Sequence, residues 1–260
     1  MVRPFLFFFF LMSSLPVAAC GARSAEDAER SMREFQNAAQ WYGDEGNVPQ
    51  ALIHLDRALE LDDRNARAYM LRGLIWYGRG ELGKAESDAR KAVEIVQETS
   101  AQSLFPEAAN LLGGVLLERG DSEEAVRWFE ASAADPLNTA PHTALGNLGW
   151  ARFQAGDAPG AVDALEAAVS RQPRFCLGYL RLGEVHFAEG RFDEAEAAFT
   201  FALEADPSCD VLQEAWKQRG EARARLGHRE DALRDFERCV ELGRQTDAGA
   251  ACAAFLEEAP

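Results

Sequence analysis

Residues 183–199 read Gly183-Glu184-Val185-His186-Phe187-Ala188-Glu189-Gly190-Arg191-Phe192-Asp193-Glu194-Ala195-Glu196-Ala197-Ala198-Phe199. Three spacings in this stretch recur along the chain. An alanine follows a glycine by five residues at Gly46 and Ala51, Gly80 and Ala85, Gly120 and Ala125, Gly156 and Ala161, Gly190 and Ala195, and Gly227 and Ala232. Seven residues before each glycine stands a small residue: Ala39, Gly73, Gly113, Gly149, Gly183 or Gly220. Four after each alanine comes Leu55, Ala89, Phe129, Leu165, Phe199 or Phe236. Successive glycines are 34, 40, 36, 34 and 37 residues apart. A period of this length marks a stacked array of one supersecondary unit.

The physical content of the unit is a helix-turn-helix. Small residues facing one another let two antiparallel helices approach to about 8–10 Å. The glycine between them can take the left-handed conformation that ends a helix, without a Cβ clash. The apolar residue on the second helix fills the space between units, and Pro136, Pro173 and Pro207 stop further winding. This pattern resembles the tetratricopeptide repeat over residues 32–246. The resemblance implies an all-α, right-handed superhelical solenoid of six such repeats. Residues 98–105 read as an insertion between the second and third units, and the third unit, one residue shorter before Pro136, as having a short second helix. Residues 247–260 read as a capping helix and tail, because a terminal unit would otherwise leave an apolar face in water.

Ahead of the array, Arg3 precedes the apolar run 5–12, which is shorter than the roughly 20 residues a membrane span needs. Leu15-Pro16-Val17-Ala18-Ala19-Cys20 follows. The sequence resembles the lipobox of bacterial lipoproteins, which implies a signal peptide over 1–19, a diacylglyceryl group on Cys20 and a lipidated tether over 20–31. The alternative is an ordinary signal peptide with an incidental cysteine. Several acyl chains, each buried methylene contributing about 0.8 kcal/mol, hold a protein in a bilayer essentially permanently. Gly21 rather than aspartate after the cysteine implies, by the same analogy, the outer membrane, facing the periplasm. Without the first 19 residues the chain carries 26 Lys+Arg against 43 Asp+Glu, a formal −17. Such a surface repels phosphate backbones and excludes nucleic acid as a partner.

Export would place Cys176, Cys209, Cys239 and Cys252 in an oxidising compartment. Repeat geometry sets Cys239 on the last second helix and Cys252 on the antiparallel cap, at equal distances from the turn near Gln245. Cys176 and Cys209 open equivalent helices of neighbouring units. Cys239–Cys252 and Cys176–Cys209 are the expected disulfides, with free buried thiols as the alternative.

Nothing in the sequence points to catalysis, a metal or a cofactor. His54, His142, His186 and His228 have no ligand-spaced partner, and neither HExxH nor CxxC occurs. Gly113-Gly114 lies inside a repeat helix rather than after a strand, so it is no phosphate cradle. Protein binding is the function left. In tetratricopeptide repeats, positions 5, 9 and 12 of each unit face the concave side. Here these include Met70, Leu74, Tyr77, Asn110, Leu117, Trp150, Phe153, Leu180 and Phe187, an apolar stripe between polar ends. The stripe suits an apolar partner segment; alternatively it tightens the packing of the superhelix.

A narrower resemblance lies in units three and four. Ala109-Asn110-Leu111-Leu112-Gly113, then Asp135-Pro136-Leu137, Pro141 and Leu145-Gly146-Asn147-Leu148-Gly149, are similar to the type IV pilus pilotins (the PilF, PilW and Tgl group). That resemblance implies an outer-membrane lipoprotein of six repeats that helps the pilus secretin localise and assemble, with secretin protomers as partners. A cysteine typical of that family would fall near Leu117 and is absent. The competing expectations are a scaffold for peptidoglycan or outer-membrane-protein biogenesis and, last, an envelope enzyme with accessory repeats.

Overall fold

The computed structural model of the chain describes residues 24–44 and 46–258. Cys20, the lipobox and the apolar run before it lie outside the described residues. Those described form thirteen α-helices and no strand: α1 (Ala25–Gly43), α2 (Val48–Leu61), α3 (Ala66–Gly78), α4 (Leu82–Glu98), α5 (Phe105–Glu118), α6 (Ser122–Ala134), α7 (Pro141–Gln154), α8 (Ala158–Arg171), α9 (Cys176–Ala188), α10 (Phe192–Glu204), α11 (Gln213–Leu226), α12 (Arg229–Gly243) and α13 (Asp247–Glu258). Each odd helix packs on the next even one, and each pair stacks on its neighbours, giving a solenoid of six pairs closed by α13. No described helix is long and apolar enough to cross a membrane.

All six recurrent glycines adopt positive φ, from 61° at Gly46 to 88° at Gly120, and among the described residues no other residue type does. Each ends the first helix of its pair in the left-handed region where a Cβ would be strained. The small residue seven positions earlier serves a different purpose. A Cβ on Gly113 would sit 2.8 Å from the Phe129 ring, and one on Gly220 would sit 2.7 Å from the Phe236 ring. Glycine on the first helix therefore accepts the aromatic of the second. Phe129, Phe199, Leu55 and Leu165, at that position of the second helix, are almost completely buried.

Helix starts are fixed locally. Asn47, Asn65 and Asp157 accept hydrogen bonds from the backbone N–H three residues on. Contacts one period apart then tie the units together. Asn65 Nδ2 donates to Ser31 Oγ (2.9 Å), which donates to the Ala58 carbonyl (2.7 Å). Arg64 pairs with Glu98 and Arg90 with Glu124, each 34 residues apart. Within pairs, Arg72 grips Asp88 and Arg219 grips Asp235 through two hydrogen bonds each, the second pair wholly buried. Disulfides join Cys176 to Cys209 and Cys239 to Cys252, the latter fastening α13 to α12.

The structure moves several boundaries. Residues expected as tether are already helical from Ala25, because Ser24 accepts from Asp27 N–H as an N-cap and Ser31 is buried against α2. Of the inserted stretch, Glu98 ends α4, which runs 17 residues, Gln102–Leu104 form a 3-10 turn, and Phe105 opens α5. The α6 helix, expected to be short, has 13 residues, with α10 the fewest of the six second helices. Cys209 does not open a helix equivalent to α9 but lies in a 3-10 turn, Pro207–Val211, ahead of α11.

Candidate partner-binding groove

The first helices of successive pairs stand side by side, and their exposed edges form the walls of a groove. Between α3, α5, α7 and α9 it widens into a cavity of about 470 Å³ lined by Leu74, Tyr77, Asn110, Leu117, Trp150 and Arg181, among others. A second hollow of about 490 Å³ adjoins it towards α1, with Phe35, Met70 and Leu104 on its walls. Leu74, Asn110 and Leu111 line both, so the two hollows are neighbours on the same face. Leu74 is 43 % exposed, which is high for a leucine inside a concave surface.

Of the residues the repeat pattern assigned to this face, the structure brings six to the channel: Met70, Leu74, Tyr77, Asn110, Leu117 and Trp150. Three stand elsewhere. Leu180 is 7 % exposed and packs in the core with Ala195, Phe199 and Ala215, because α11 closes over α9 at that level. Phe187 is turned edge-on to Phe192 at 5.2 Å and joins the same core. Phe153 lies beside Trp150 at 5.4 Å and packs against the cluster of Ala158, Leu165 and Val185. Near the start of α7, the Phe175 ring packs over Gly146, where a Cβ would meet it at 2.7 Å.

The floor of the cavity is polar and ordered. Arg181 donates to Asn147 Oδ1 (2.8 Å), and Asn147 Nδ2 donates to Asn110 Oδ1 (3.0 Å). The guanidinium lies 5.9 Å from the Trp150 ring centroid, within cation–π range. Burial pushes Arg181 below the usual guanidinium range, with Glu184 and Tyr77 opposing. Burial also raises the Tyr77 hydroxyl, helped by Glu118. Neither Asn147 nor Arg181 fell within the positions 5, 9 and 12 read from the sequence. Both occupy the next register, and the signal for them is their own spacing of 34 residues.

Beyond Phe175 the face turns acidic. Burial raises the Glu184 carboxyl above its ordinary range, with Glu214 adding to it, and burial likewise raises Glu221. Gln218 bridges Glu184 and Glu214, at 3.2 and 2.9 Å, and Lys217 pairs with Glu214. Among the described residues no group of three His, Cys, Asp or Glu could hold a metal ion. What the two hollows offer is apolar contact, amide hydrogen bonds and two guanidinium groups, Arg67 and Arg181, beside Glu107 and Glu118, the chemistry of peptide recognition.

Comparison with known proteins agrees with this architecture. The family model described as "Tetratricopeptide repeat" matches residues 37–99, 87–139 and 144–209, more than half of the chain. Among curated relatives, Stress-induced-phosphoprotein 1 of Caenorhabditis elegans is 24% identical over 217 residues, 83% of this chain and 63% of that protein. Hsp70-Hsp90 organizing protein 3 of Arabidopsis thaliana is 26% identical over 210 residues, 76% of this chain and 35% of its own. The chain thus spans less than two thirds of either relative. Among solved structures, PilW, described as a widely conserved type IV pilus biogenesis factor, aligns with a TM-score of 0.75 at 21% identity, covering 86% of this chain and 98% of that one. Pseudomonas aeruginosa PilF aligns at 0.70 and 18%, covering 88% and 99%. At these identities the likeness is one of fold.

Proposed function

The chain belongs to the tetratricopeptide-repeat family, and from that membership we propose that it is a lipid-anchored pilotin, helping the type IV pilus secretin to localise and assemble in the outer membrane. As a repeat protein of this family it is a protein-binding adaptor. The observation that supports the finer reading is the extent of this chain that is matched: the PilW structure aligns over 86% of it with a TM-score of 0.75, whereas MamA reaches 0.53 over 69%.

The lipobox supports the same reading. Only residues 21–23 separate Cys20 from the helix cap Ser24, so an acylated Cys20 would hold the first helix pair at the bilayer surface. The channel would then face the periplasm and receive secretin protomers before they insert. No bond-making step is required, only capture and delivery.

The test is made in the native host. Deleting the gene should remove heat-resistant secretin multimers from the outer membrane, and the wild-type gene should restore them. Cys20→Ser should yield folded protein that stays in the soluble fraction and does not restore multimers. Normal multimers in the deletion strain would overturn the pilotin role. Full restoration by soluble Cys20→Ser would overturn the anchoring.

A further inference from the structure

The two disulfides have opposite surroundings. Cys239 and Cys252 are both wholly buried in the core that α13 makes with α12, closed to an attacking thiol. Cys176 and Cys209 differ from one another. Cys209 is 1 % exposed in the 3-10 turn Pro207–Val211, whereas Cys176 is half-buried as the first residue of α9. Phe175, the N-cap of α9, gives that helix end no side-chain hydrogen bond, so a negative charge on the Cys176 sulfur is favoured there without a competing cap. Asp206 and Asp210 flank Cys209 in the chain and oppose a charge on its sulfur. One sulfur is therefore reachable and suited to carry charge, and the other is sheltered and suited to hold a proton. That asymmetry is what an exchanging pair of cysteines requires. Apolar side chains stand out around the same junction. Leu177 beside Cys176 is exposed, and Val211, two residues from Cys209, is 68 % exposed. Phe201, 57 % exposed, stacks at 5.4 Å on Tyr179, one turn along α9 from Cys176.

We infer that Cys176–Cys209 is a site of thiol–disulfide exchange, with Cys176 as the entry sulfur and Cys209 as the resolving one, and that its partner is a dithiol oxidoreductase seated on Leu177, Phe201 and Val211. A thiolate of the partner attacks Cys176 Sγ. The Cys176–Cys209 bond breaks, and Cys209 leaves with the electron pair and takes a proton from solvent. The partner's second thiolate then attacks its own sulfur in the mixed disulfide and releases Cys176 at the uncapped end of α9, where the charge is favoured. The partner's two thiols become a disulfide, and two electrons pass to Cys176 and Cys209; the reverse sequence, from an oxidised partner, closes the bond. A small thiol would make no use of the exposed apolar side chains, whereas a protein surface covers them. Opening the bond frees the 3-10 turn before α11 from the start of α9, while Cys239–Cys252 keeps α13 on α12. Arg174 still pairs with Asp206 across the junction, so the two sulfurs stay near enough to close again. The inference is independent of the groove and of any role at a secretin.

The probes are dithiothreitol, as a small dithiol, and reduced thioredoxin, as a dithiol carried on a protein. Each is added to the full-length protein in detergent micelles under native conditions. Samples are quenched with acid at intervals, alkylated and mapped by peptide mass. Dithiothreitol should open Cys176–Cys209 at least about tenfold faster than Cys239–Cys252. Thioredoxin, at equal dithiol concentration, should open Cys176–Cys209 about tenfold faster than dithiothreitol does. Phe201→Gln combined with Val211→Gln should slow thioredoxin several-fold and leave dithiothreitol unchanged. Far-ultraviolet circular dichroism should keep its helical signal after the first bond opens. With Cys209→Ser, Cys176 should take up glutathione from oxidised glutathione; with Cys176→Ser, Cys209 should not. Should either serine variant fail to fold, brief reduction and alkylation of the unaltered protein serves instead, and Cys176 should be alkylated before Cys209. Simultaneous opening of both disulfides, opening only under denaturant, or first alkylation at Cys209 would overturn the exchange site. Thioredoxin no faster than dithiothreitol, or unaffected by the Phe201 and Val211 changes, would overturn the protein partner.

Discussion

Two adjacent glycines in α5 have opposite surroundings and should respond oppositely to the same substitution. A Cβ on Gly113 would meet the Phe129 ring at 2.8, 2.9 and 3.0 Å, and that ring is 1 % exposed and so has nowhere to retreat. A Cβ on Gly114 would meet nothing within 4 Å. Replacing either by alanine removes glycine's excess backbone entropy from the unfolded chain, which favours the helix by about 0.5–1 kcal/mol. That gain is common to both variants and cancels in their difference. What remains at Gly113 is overpacking, about 1–3 kcal/mol for an extra carbon forced into a filled core. Gly114→Ala should therefore melt slightly above the parent and Gly113→Ala several degrees below Gly114→Ala. Thermal unfolding followed by far-ultraviolet circular dichroism measures this directly. Adding Phe129→Leu to Gly113→Ala should recover part of the loss, although Phe129→Leu alone destabilises. If Gly113→Ala melted at or above Gly114→Ala, close approach of the paired helices would not be what the small residue supplies.

Asp235→Ala leaves Arg219 buried without its anion and should cost about 3–5 kcal/mol. Asp56→Ala, at an aspartate that is 62% exposed, should cost less than about 1 kcal/mol, and denaturant titration of both variants makes the comparison. Because burial raises the folded-state pKa of Glu184, its charged form is the disfavoured one, and its contribution to stability falls as pH rises from the ordinary carboxylate range through the raised value. Glu184→Gln should therefore raise Tm at neutral pH by about 1–3 °C and lose that gain in acid; an equal gain at both pH values would exclude the titration as its cause. The Cys239–Cys252 bond closes a span of 13 residues, so its loss should cost about 3 kcal/mol on the chain-entropy account. Cys252→Ser should speed amide exchange in α13 before α1, and uniform acceleration would contradict a local staple. Intact mass with and without reductant should differ by about two hydrogens per bond.

The pairing of helices was legible because it depends on residues with steric consequences. A glycine at positive φ and a glycine under a phenyl ring tolerate few replacements, so their spacing survives in one sequence. The positions facing the groove were less legible. A fixed rule of positions assumes every unit curves alike, and it held for Leu74, Asn110 and Trp150 while α11 covered Leu180 and Phe192 drew in Phe187. Phe175 packing over Gly146 could not be read at all, since it comes from an inter-unit turn outside the repeat's register. Arg181 was hidden for a different reason: an arginine in an acidic, arginine-bearing sequence is ordinary until the missing carboxylate is seen in three dimensions.

Among the described residues both disulfides fall between residues 176 and 252, so helices α1 to α8 are held together by non-covalent contacts. An array pulled from its N-terminal end would peel pair by pair and stop at the first sulfur bridge. The far end would then act as an anvil: its last two pairs and cap keep their shape while the earlier ones stretch, unwind and rewind.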